Sequence, residues 1–226
     1  RVIRLFREPY LSEEAAETLI KKVNAKISVL LRTSQNKNDL SEIKSIKSEQ
    51  CFNVEIDVDG KECLSEEKMG VLEWLLRETY EPEKFSARTR LGEDRADSIV
   101  EVGPRLAFQS AWSTNAVAIC KSCGVEEVKR LERSRRFELF GENGNVIESK
   151  EVKMIFAREV HDRMTECVFD SPLSSFKLSA DIPEVYEVPI LTEGRKALEK
   201  VDKELGLAFD DQDFDFYMRL FGEDIK

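Results

Sequence analysis

The sequence predicts an α+β protein in which strands and amphipathic helices follow one another in the same order twice. Residues 52–58 alternate between apolar and polar side chains, the pattern of a strand with one buried face and one solvent-exposed face. Ser12 and two glutamates begin a helix whose apolar residues then recur every three to four positions. After a charged connector over residues 81–97, this succession of patterns returns. A repeated order of this kind predicts a two-layer sandwich made of two similar halves.

Local patterns assign the elements of the first half. A serine followed by acidic residues begins a helix at Ser12 and again at Ser65, because these side chains satisfy the free N–H groups of a first turn. Residues 33–50 are rich in Ser, Asn and Lys and predict an exposed loop. The first half is therefore predicted to contain a strand at 2–6, a helix at 12–27, a second possible strand at 28–32, the strand at 52–58 and a helix from Ser65.

The second half repeats this order. Residues 99–102 predict a strand and residues 115–123 a helix. Residues 125–140 carry strand-forming side chains in two stretches, with a bulge or bend near 133–135, and a turn then precedes a helix from about residue 149. Each half thus has the order strand, helix, strand, strand, helix. The predicted fold class is a duplicated ferredoxin-like (βαββα) two-layer sandwich that forms a fused pseudo-dimer.

The C-terminal part of the chain differs in character. Three prolines interrupt a segment with few strand patterns, and two short amphipathic helices follow. Gly206 ends the first of these helices, and Asp210 or Asp211 caps the second. We therefore expect a duplicated α+β domain over residues 1–170 and a small, mainly helical domain over residues 171–226.

Charge and cysteine content exclude several function classes. The chain of 226 residues carries 35 basic and 45 acidic residues, and its net charge of −10 argues against general nucleic-acid binding. No apolar run is long enough for a membrane span, and residues 1–10 lack the pattern of a signal peptide. An odd number of cysteines, five, fits reduced thiols, and a single histidine excludes a multi-histidine metal site within the chain. One local basic cluster could still meet a phosphate or an acidic surface: Lys129, Arg130, Arg133, Arg135 and Arg136.

Cys120 and Cys123 form a Cys-x-x-Cys pair that is open to a redox, a metal and a structural interpretation. Gly124 follows at once and predicts the C-terminal end of the helix, where the helix dipole does not favour a thiolate. A zinc site needs two further ligands, and the remaining cysteines and His161 show no second paired spacing. We therefore expect both thiols to lie on the apolar side of the helix, buried and slow to react with alkylating reagents.

Ser113, Thr114 and Asn115 lie at the start of the predicted helix at 115–123. A hydroxyl there can cap the helix, and the helix N-terminus could alternatively bind an anion, although the glycines of a phosphate loop are lacking. Arg105 follows a Gly-Pro turn, where it makes a surface ion pair or reaches a partner domain or a ligand carboxylate.

His161 lies at the margin of the apolar stripe of the helix that begins near residue 149. Acid or base catalysis would need an orienting partner and a substrate pocket, so packing against a neighbouring element is the favoured interpretation. The acidic run at 210–215 invites a calcium interpretation. Because it lacks the glycine and the terminal glutamate of a calcium loop, a helix cap with a solvated face is favoured. Taken residue by residue, the chain holds no complete catalytic constellation.

Four well-separated segments contain the most specific sequence motifs of the chain. They are EVGPRLAFQSAWSTNAVAICKSCGV at 101–125, VKRLERSRRFELF at 128–140, HDRMTECVF at 161–169 and GRKALEKVDKELGLAFDDQDFDFYMRLF at 194–221. In this order they resemble the N-terminal part of the large formylglycinamide ribonucleotide amidotransferases, also called phosphoribosylformylglycinamidine synthases. The resemblance spans most of the chain, and ETYEPE at 78–83 is most similar to the plant-type members.

The resemblance implies a ligase of de novo purine biosynthesis. The family converts formylglycinamide ribonucleotide, glutamine and ATP to formylglycinamidine ribonucleotide, glutamate, ADP and phosphate. ATP with magnesium activates the substrate amide oxygen as an iminophosphate, which ammonia from a glutaminase domain then displaces. In the long single-chain form, the N-terminal domain resembles a fused dimer of a small subunit, and a mainly helical linker domain follows it. By this resemblance, residues 1–170 are the N-terminal domain and residues 171–226 are the linker domain.

No catalytic residue of the family can be placed on this chain, because the synthetase and glutaminase motifs are absent from it. The resemblance implies that the chain alone is inactive and holds no cofactor, while ATP and magnesium act in the full-length enzyme. Its implied partners are the synthetase and glutaminase domains of the same polypeptide, with no role for nucleic acid or membrane. The residues that match the family and stand as interdomain or active-site-wall candidates are Arg105, Ser113, Thr114, Asn115, His161, Arg163 and Arg195.

The cellular location and a second function class stay open. The plant-type wording implies the plastid, with the mitochondrion as a further location and a transit segment upstream of Arg1, whereas other family members are cytosolic. The second function class is an independent regulatory or interaction module, because paired ferredoxin-like domains bind small effectors in their seams. The favoured hypothesis is an N-terminal part that docks the catalytic domains and supports ammonia transfer.

Overall fold

The computed structural model describes residues 1–33, 40–57, 64–92, 98–177, 185 and 187–225. The chain divides into two compact units, Arg1–Leu178 and Ser179–Lys226, each of which is described by itself. Among the described residues, no helix combines the length and the apolar character needed to cross a membrane.

The described part of the first unit is an antiparallel sheet with four helices, which confirms the predicted α+β class. Its strands lie side by side in the order β3-β1-β2-β5-β4-β6, and each pair of neighbours is antiparallel. The strands are β1 (Val2–Arg7), β2 (Ser45–Ile56), β3 (Phe85–Ser86), β4 (Ile99–Pro104), β5 (Val128–Phe140) and β6 (Glu166–Phe169). The helices are α1 (Glu13–Thr33), α2 (Glu66–Leu76), α3 (Ala111–Ser122) and α4 (Lys150–Val160).

The helices pack on one face of the sheet through two separate apolar clusters. The first cluster joins α2 and α3 to β1, β2 and the start of β5, and the second joins α1 and α4 to β4 and the end of β5. Each cluster therefore takes one helix from each half of the unit. Fully buried members of the first cluster include Val54, Leu72, Val128 and Leu131, and those of the second include Val23, Ile27, Leu139 and Phe156.

Serine caps begin the helices, as the sequence predicts for α1 and α2. The hydroxyl of Ser65 accepts the N–H of Lys68 at 3.3 Å. For α3 the predicted cap at Ser113–Asn115 is wrong, because the hydroxyl of Ser110 accepts the N–H of Ser113 at 3.1 Å. The helix therefore starts four residues earlier than predicted, and the Ser-Thr-Asn run lies within its first turn.

Two other sequence assignments in the first unit are wrong. Residues 28–32 continue α1 instead of forming a strand, because the helical stripe continues through Leu30 and Leu31, which pack against the second cluster. The predicted loop at 33–50 already contains the start of β2 at Ser45, whereas residues 34–39 lie outside the described part. The predicted end of this strand at Val58 also lies outside it.

The long strand β5 is continuous where two stretches were predicted. The bend expected near 133–135 is replaced by a register irregularity between Glu55 and Ile56 of β2, opposite Arg130 and Val128. Each half of the unit thus has the order strand, helix, strand, helix, strand among the described residues, rather than βαββα. The short strands β3 and β6 follow the second helix of their halves.

The second unit contains the short helices that the sequence predicts. The predicted helices are α6 (Arg195–Leu205) and α7 (Asp211–Arg219). The structure adds the four-residue helix α5 (Ile190–Glu193) before them and a π-helical turn at Leu220–Asp224 after them. Gly206, with φ of 64°, ends α6 in the left-handed conformation that favours glycine. The carboxylate of Asp210 caps α7, and Asp213 reciprocates, so the helix-cap interpretation of the acidic run is confirmed.

Replacing Phe137 by alanine should lower the free energy of unfolding by about 3–5 kcal/mol, because its ring is buried next to Tyr10 and Phe156 and its loss leaves a cavity. Urea denaturation followed by circular dichroism measures the change. Phe108→Ala is the matched control: the Phe108 side chain is 40% exposed, and its loss should cost less than about 1 kcal/mol. Equal midpoints for the two variants would contradict the assigned core.

Candidate functional site

The face of the sheet that turns away from the helices carries a buried network of charged and polar side chains. The alternation at 52–58 predicts a wet face, but Asn53 is only 1% exposed. Glu49, Glu101 and Arg136 on the same face are 1%, 4% and 5% exposed. Strand register creates the network, because Arg136 lies opposite Glu49 on one side and Glu101 on the other. We call it the polar-face network: Arg4 on β1, Glu49 and Asn53 on β2, Glu101 on β4, and Ser134 and Arg136 on β5.

Glu101 is the centre of the polar-face network. Nη2 of Arg4 lies 2.7 and 2.5 Å from its two carboxylate oxygens, and the hydroxyl of Ser134 donates to Oε1 at 2.6 Å. Nε of Arg136 lies 3.2 Å from Oε2, while Nδ2 of Asn53 donates to the Ser134 hydroxyl at 2.9 Å. The lone pairs of this carboxylate are already engaged, so its surroundings suit a structural group better than a proton carrier.

Glu49 is covered by the segment that follows β3. It forms an ion pair with Arg136, accepts the hydroxyl of Thr89 at 2.5 Å and accepts the backbone N–H of Arg90 at 3.1 Å. The ring of Phe6 lies against the guanidinium of Arg136, with 5.3 Å between the ring centroid and Cζ. These contacts make the polar face part of the interior of the unit.

A second set of contacts joins β5 to the start of α3. The carboxylate of Glu132 accepts the N–H of Ser110 at 3.0 Å and its hydroxyl at 2.6 Å. Arg130 contacts the same carboxylate at 3.1 Å and donates to the carbonyl of Leu106 at 3.1 Å. The ring of Phe176 covers the Arg130 guanidinium at 4.6 Å. Arg130 and Glu132 thereby position the helix cap.

Close packing on the polar face requires a glycine at position 103. A Cβ at this position would meet the Phe169 ring at 2.8 Å and the Cβ of Ser134 at 3.0 Å. The sequence suggests that Gly103 turns the chain out of its strand, but the structure keeps it within β4 and uses its missing side chain for the approach of β6.

The predicted run Ser113-Thr114-Asn115 does not form a common site. Ser113 is fully buried, and its hydroxyl accepts from Gln109 at 3.1 Å. The hydroxyl of Thr114 donates to the carbonyl of Ser110 at 3.3 Å, and Asn115 is exposed. The run therefore supports the first turn of α3.

Arg105 contacts the main chain of Arg163 at the edge of the sheet formed by β4 and β6, and His161 lies two residues before Arg163. Nη2 of Arg105 donates to the carbonyl of Arg163 at 2.6 Å. His161 ends α4, and its Nδ1 contacts the carbonyl of Ala157. The Arg163 side chain is exposed. These contacts are made with the main chain, and they anchor the turn between α4 and β6.

Arg195, the last candidate, belongs to the second unit. Its Nε donates to Glu199 at 2.8 Å and its Nη2 donates to Asp211 at 2.5 Å, and this second hydrogen bond raises the pKa of Arg195. The guanidinium also lies 4.7 Å from the ring centroid of Phe214. Arg195 thus joins the start of α6 to the start of α7.

The Cys-x-x-Cys prediction is correct for one thiol and wrong for the other. Cys120 is buried in the first cluster, but Cys123 is exposed, because it is the residue that ends α3 rather than a member of its apolar stripe. Burial raises the pKa of the Cys51 thiol to about 12 and also raises the pKa of Cys120 and Cys167. Cys63 lies outside the described residues.

Among the described residues, no three His, Cys, Asp or Glu side chains converge so as to hold a metal ion. This part of the chain therefore offers no ligand set that fits the magnesium implied by the resemblance.

The polar-face network was missed at the sequence level, although a signal exists. Residues of opposite charge stand at alternate positions in several strand patterns, notably Glu49 in β2, Glu101 in β4 and Arg136 in β5. Alternation alone also fits a solvated face. Only the strand order and register reveal that these charges meet.

The fold and these sites define a class of protein: a sheet-centred α+β domain whose buried charges pair with one another, followed in sequence by a small helical unit. The family model "Formylglycinamide ribonucleotide amidotransferase N-terminal" matches residues 49–178. The chain belongs to this family.

Three relatives extend the match beyond those residues. "Probable phosphoribosylformylglycinamidine synthase, chloroplastic/mitochondrial" of Arabidopsis thaliana is 46% identical over 229 residues, which cover 100% of this chain and 15% of the relative. "Phosphoribosylformylglycinamidine synthase" of Dictyostelium discoideum is 40% identical over 87% of this chain and 14% of the relative. The protein of the same name from Homo sapiens is 38% identical over 81% of this chain and 14% of the relative. The chain thus spans about 15% of the length of the relatives that it matches.

Replacing Arg136 by methionine should lower the free energy of unfolding by about 3–5 kcal/mol, because it leaves the buried carboxylates of Glu49 and Glu101 without their shared cation. Arg136→Lys keeps the charge and should lose less. Arg158→Met, on the exposed side of α4, is the control and should change stability by no more than about 0.5 kcal/mol. Urea denaturation gives the three values. If Arg136→Met matched the control, the network would have no structural role.

Native alkylation with iodoacetamide should modify Cys123 first and Cys167 more slowly, while Cys51 and Cys120 should react only after unfolding. The order follows the exposure of each thiol and the raised pKa of the buried ones. Mass spectrometry of peptides from timed samples measures each rate, and a urea-treated sample serves as the control in which all sites react. Labelling of Cys51 as fast as that of Cys123 would contradict the burial assigned to β2.

Proposed function

We propose that the chain is the N-terminal part of a phosphoribosylformylglycinamidine synthase. This enzyme makes formylglycinamidine ribonucleotide from formylglycinamide ribonucleotide, ATP and glutamine in de novo purine biosynthesis. It is an ATP-dependent carbon–nitrogen ligase with glutamine as amide donor. Support comes from the whole-chain match to a relative of that name, of which the chain spans only 15%.

Within that enzyme, the first unit docks the catalytic domains and supports the transfer of ammonia from the glutaminase domain to the synthetase domain. The observation that carries this role is the polar-face network. Its carboxylates, Glu49 and Glu101, are engaged by arginine and hydroxyl donors of the same sheet. Such a unit is built to keep its shape and not to exchange protons. As the resemblance implies, ATP, magnesium and glutamine bind to the other domains of the polypeptide.

The first unit is a duplicated ferredoxin-like arrangement in the form of a fused pseudo-dimer. Two observations support this proposal. The strand order β3-β1-β2-β5-β4-β6 reads the same from both edges when the two halves are exchanged, with the β2–β5 pair at its centre. Each apolar cluster also combines one helix from each half. A pseudo-two-fold axis between β2 and β5 accounts for both.

Residues 1–170 form the N-terminal domain of the enzyme and residues 171–226 its mainly helical linker domain. The short helices α6 and α7 support the linker assignment. The location that we propose is the plastid, with the mitochondrion as a further location, because the Arabidopsis thaliana relative carries both terms in its name.

A chimera tests the proposed function. The 226-residue chain replaces the matching N-terminal segment of the Arabidopsis thaliana relative, and formylglycinamidine ribonucleotide formation is assayed with glutamine and separately with ammonium. We expect the chimera to use both nitrogen sources and the 226-residue chain alone to use neither. The unaltered relative is the positive control.

Two outcomes would contradict this function. One is turnover by the 226-residue chain alone. The other is a folded but inactive chimera combined with thermal stabilisation of the isolated chain by nucleotides or amino acids, which would support the independent regulatory module. A chimera that forms product with ammonium but not with glutamine would contradict only the proposed role in ammonia transfer.

A further inference from the structure

A strip of polar residues crosses the middle of the helix-bearing face of the sheet, between the two apolar clusters. Gln50 on β2 lies opposite Arg7 on β1 and opposite Arg135 on β5, and Arg133 precedes Arg135 by two positions on β5. We call these four residues the central strip. The basic cluster read from the sequence is therefore divided, because Arg133 and Arg135 face the helices whereas Arg130 and Arg136 face the other side.

Both arginines of β5 in the central strip stack on an aromatic ring. The guanidinium carbon of Arg135 lies 5.7 Å from the ring centroid of Tyr10, which precedes α1. That of Arg133 lies 4.2 Å from the ring centroid of Trp112, in the first turn of α3. A stacked guanidinium keeps a fixed plane and offers the N–H groups of its edge to an acceptor.

Arg133 and Arg135 differ in whether a carboxylate pairs with the guanidinium. Arg135 is held by Glu166 on β6 at 2.5 Å, with side chains 22% and 24% exposed. Arg133 stacks on Trp112, but among the described residues it lies within ion-pair distance of no carboxylate. It has the aromatic support that Arg135 has, without the carboxylate.

Two carboxylates, Glu78 and Glu132, attract Arg133 at longer range, but their ion pairs are with Arg7 and Arg130. Arg7 donates to the carbonyls of Arg77 and Tyr80, both at 2.8 Å, and pairs with Glu78 at 3.4 Å. Its groups thus hold the turn after α2. Partial burial lowers the pKa of Arg133, whose guanidinium remains a cation at neutral pH. Arg133 is exposed, so a carboxylate from outside the unit can reach its guanidinium.

We propose that Arg133 binds a carboxylate side chain from another domain of the same polypeptide, with the Trp112 ring fixing the guanidinium plane. The Arg135–Glu166 pair is the internal example of this contact and favours a carboxylate. A phosphate site commonly gathers several donors at a helix N-terminus, whereas Arg133 presents one guanidinium edge. The proposal rests on the proposed function, since the greater part of the relatives' length lies outside the match.

Arginine labelling tests the proposal on the isolated 226-residue chain and on the full-length chimera. Both are treated with phenylglyoxal in phosphate-free buffer, and modification is followed at each arginine by mass spectrometry. Arg133 should react readily in the isolated chain and roughly tenfold more slowly in the chimera, because a bidentate carboxylate occupies its edge. Arg158, exposed on α4, should react equally in both, and Arg135 should react more slowly than Arg133 in the isolated chain.

Salt separates an ion pair from simple coverage. Raising sodium chloride from about 0.05 to about 0.5 M should restore most of the Arg133 reactivity in the chimera, because screening weakens a partly exposed charge pair. Arg133→Gln should leave the unfolding free energy of the isolated chain within about 0.5 kcal/mol of wild type. In the chimera, the same substitution should make the segment around Trp112 exchange amide hydrogens faster, and Arg158→Gln should not.

Several results would overturn the proposal. Equal Arg133 labelling in the chain and the chimera would show that no domain covers it, and salt-independent protection would show coverage without a carboxylate. Protection of the isolated chain by about 10 mM inorganic phosphate would assign the site to a free anion. Protection that grows with the concentration of the isolated chain would assign it to a second copy. The proposed function fails separately, through an inactive chimera, because labelling does not depend on turnover.

Discussion

The antiparallel pairing of β2 with β5 is the constraint on which the rest of the first unit depends. Its register runs from the pair Ser45 and Phe140 to the pair Ile56 and Val128. Because side chains alternate between the two faces, one register decides both layers at once. It sends the apolar residues of both strands to the helices and brings Glu49 opposite Arg136 on the other side. A shift by one residue would place charges in the apolar clusters.

The buried charges of the polar-face network make the β2–β5 register specific, because other registers would leave some of these charges unpaired. An ion network in an interior gains little net stability, because desolvation offsets most of the Coulomb attraction. Its effect is to penalise every alternative in which one partner is missing. Arg136 pairs with two carboxylates, and Glu101 pairs with two arginines. A shift in the register of β4 or β5 would therefore break more than one ion pair. We infer that the network selects one arrangement of the strands.

The sequence predicts the local elements of this fold well and its pairings poorly. Serine caps, helical stripes and Gly206 are written in a few consecutive residues, and the structure agrees with most of them. Residues 28–32 were misassigned because a short apolar run fits a strand or a helix locally, and the contact of α1 with the second cluster decides for helix. The prediction that the polar face of residues 52–58 is exposed to solvent failed for the same reason. Alternation reveals a face, whereas its solvent exposure depends on segments far along the chain, such as Thr89.

Arg133 and Arg135 of the central strip differ in their contacts for the same reason, because the local sequence pattern does not determine which strands pair. In the sequence Arg133 and Arg135 are equivalent, since they stand two residues apart on one strand. What distinguishes them is β6, a strand of four residues that reaches only Arg135 through Glu166. Because β6 lies at the outer edge of the described sheet and pairs with β4, its carboxylate reaches Arg135 and not Arg133. The difference is set by where the sheet ends, and within the described residues it leaves Arg133 stacked on Trp112 with no carboxylate at ion-pair distance.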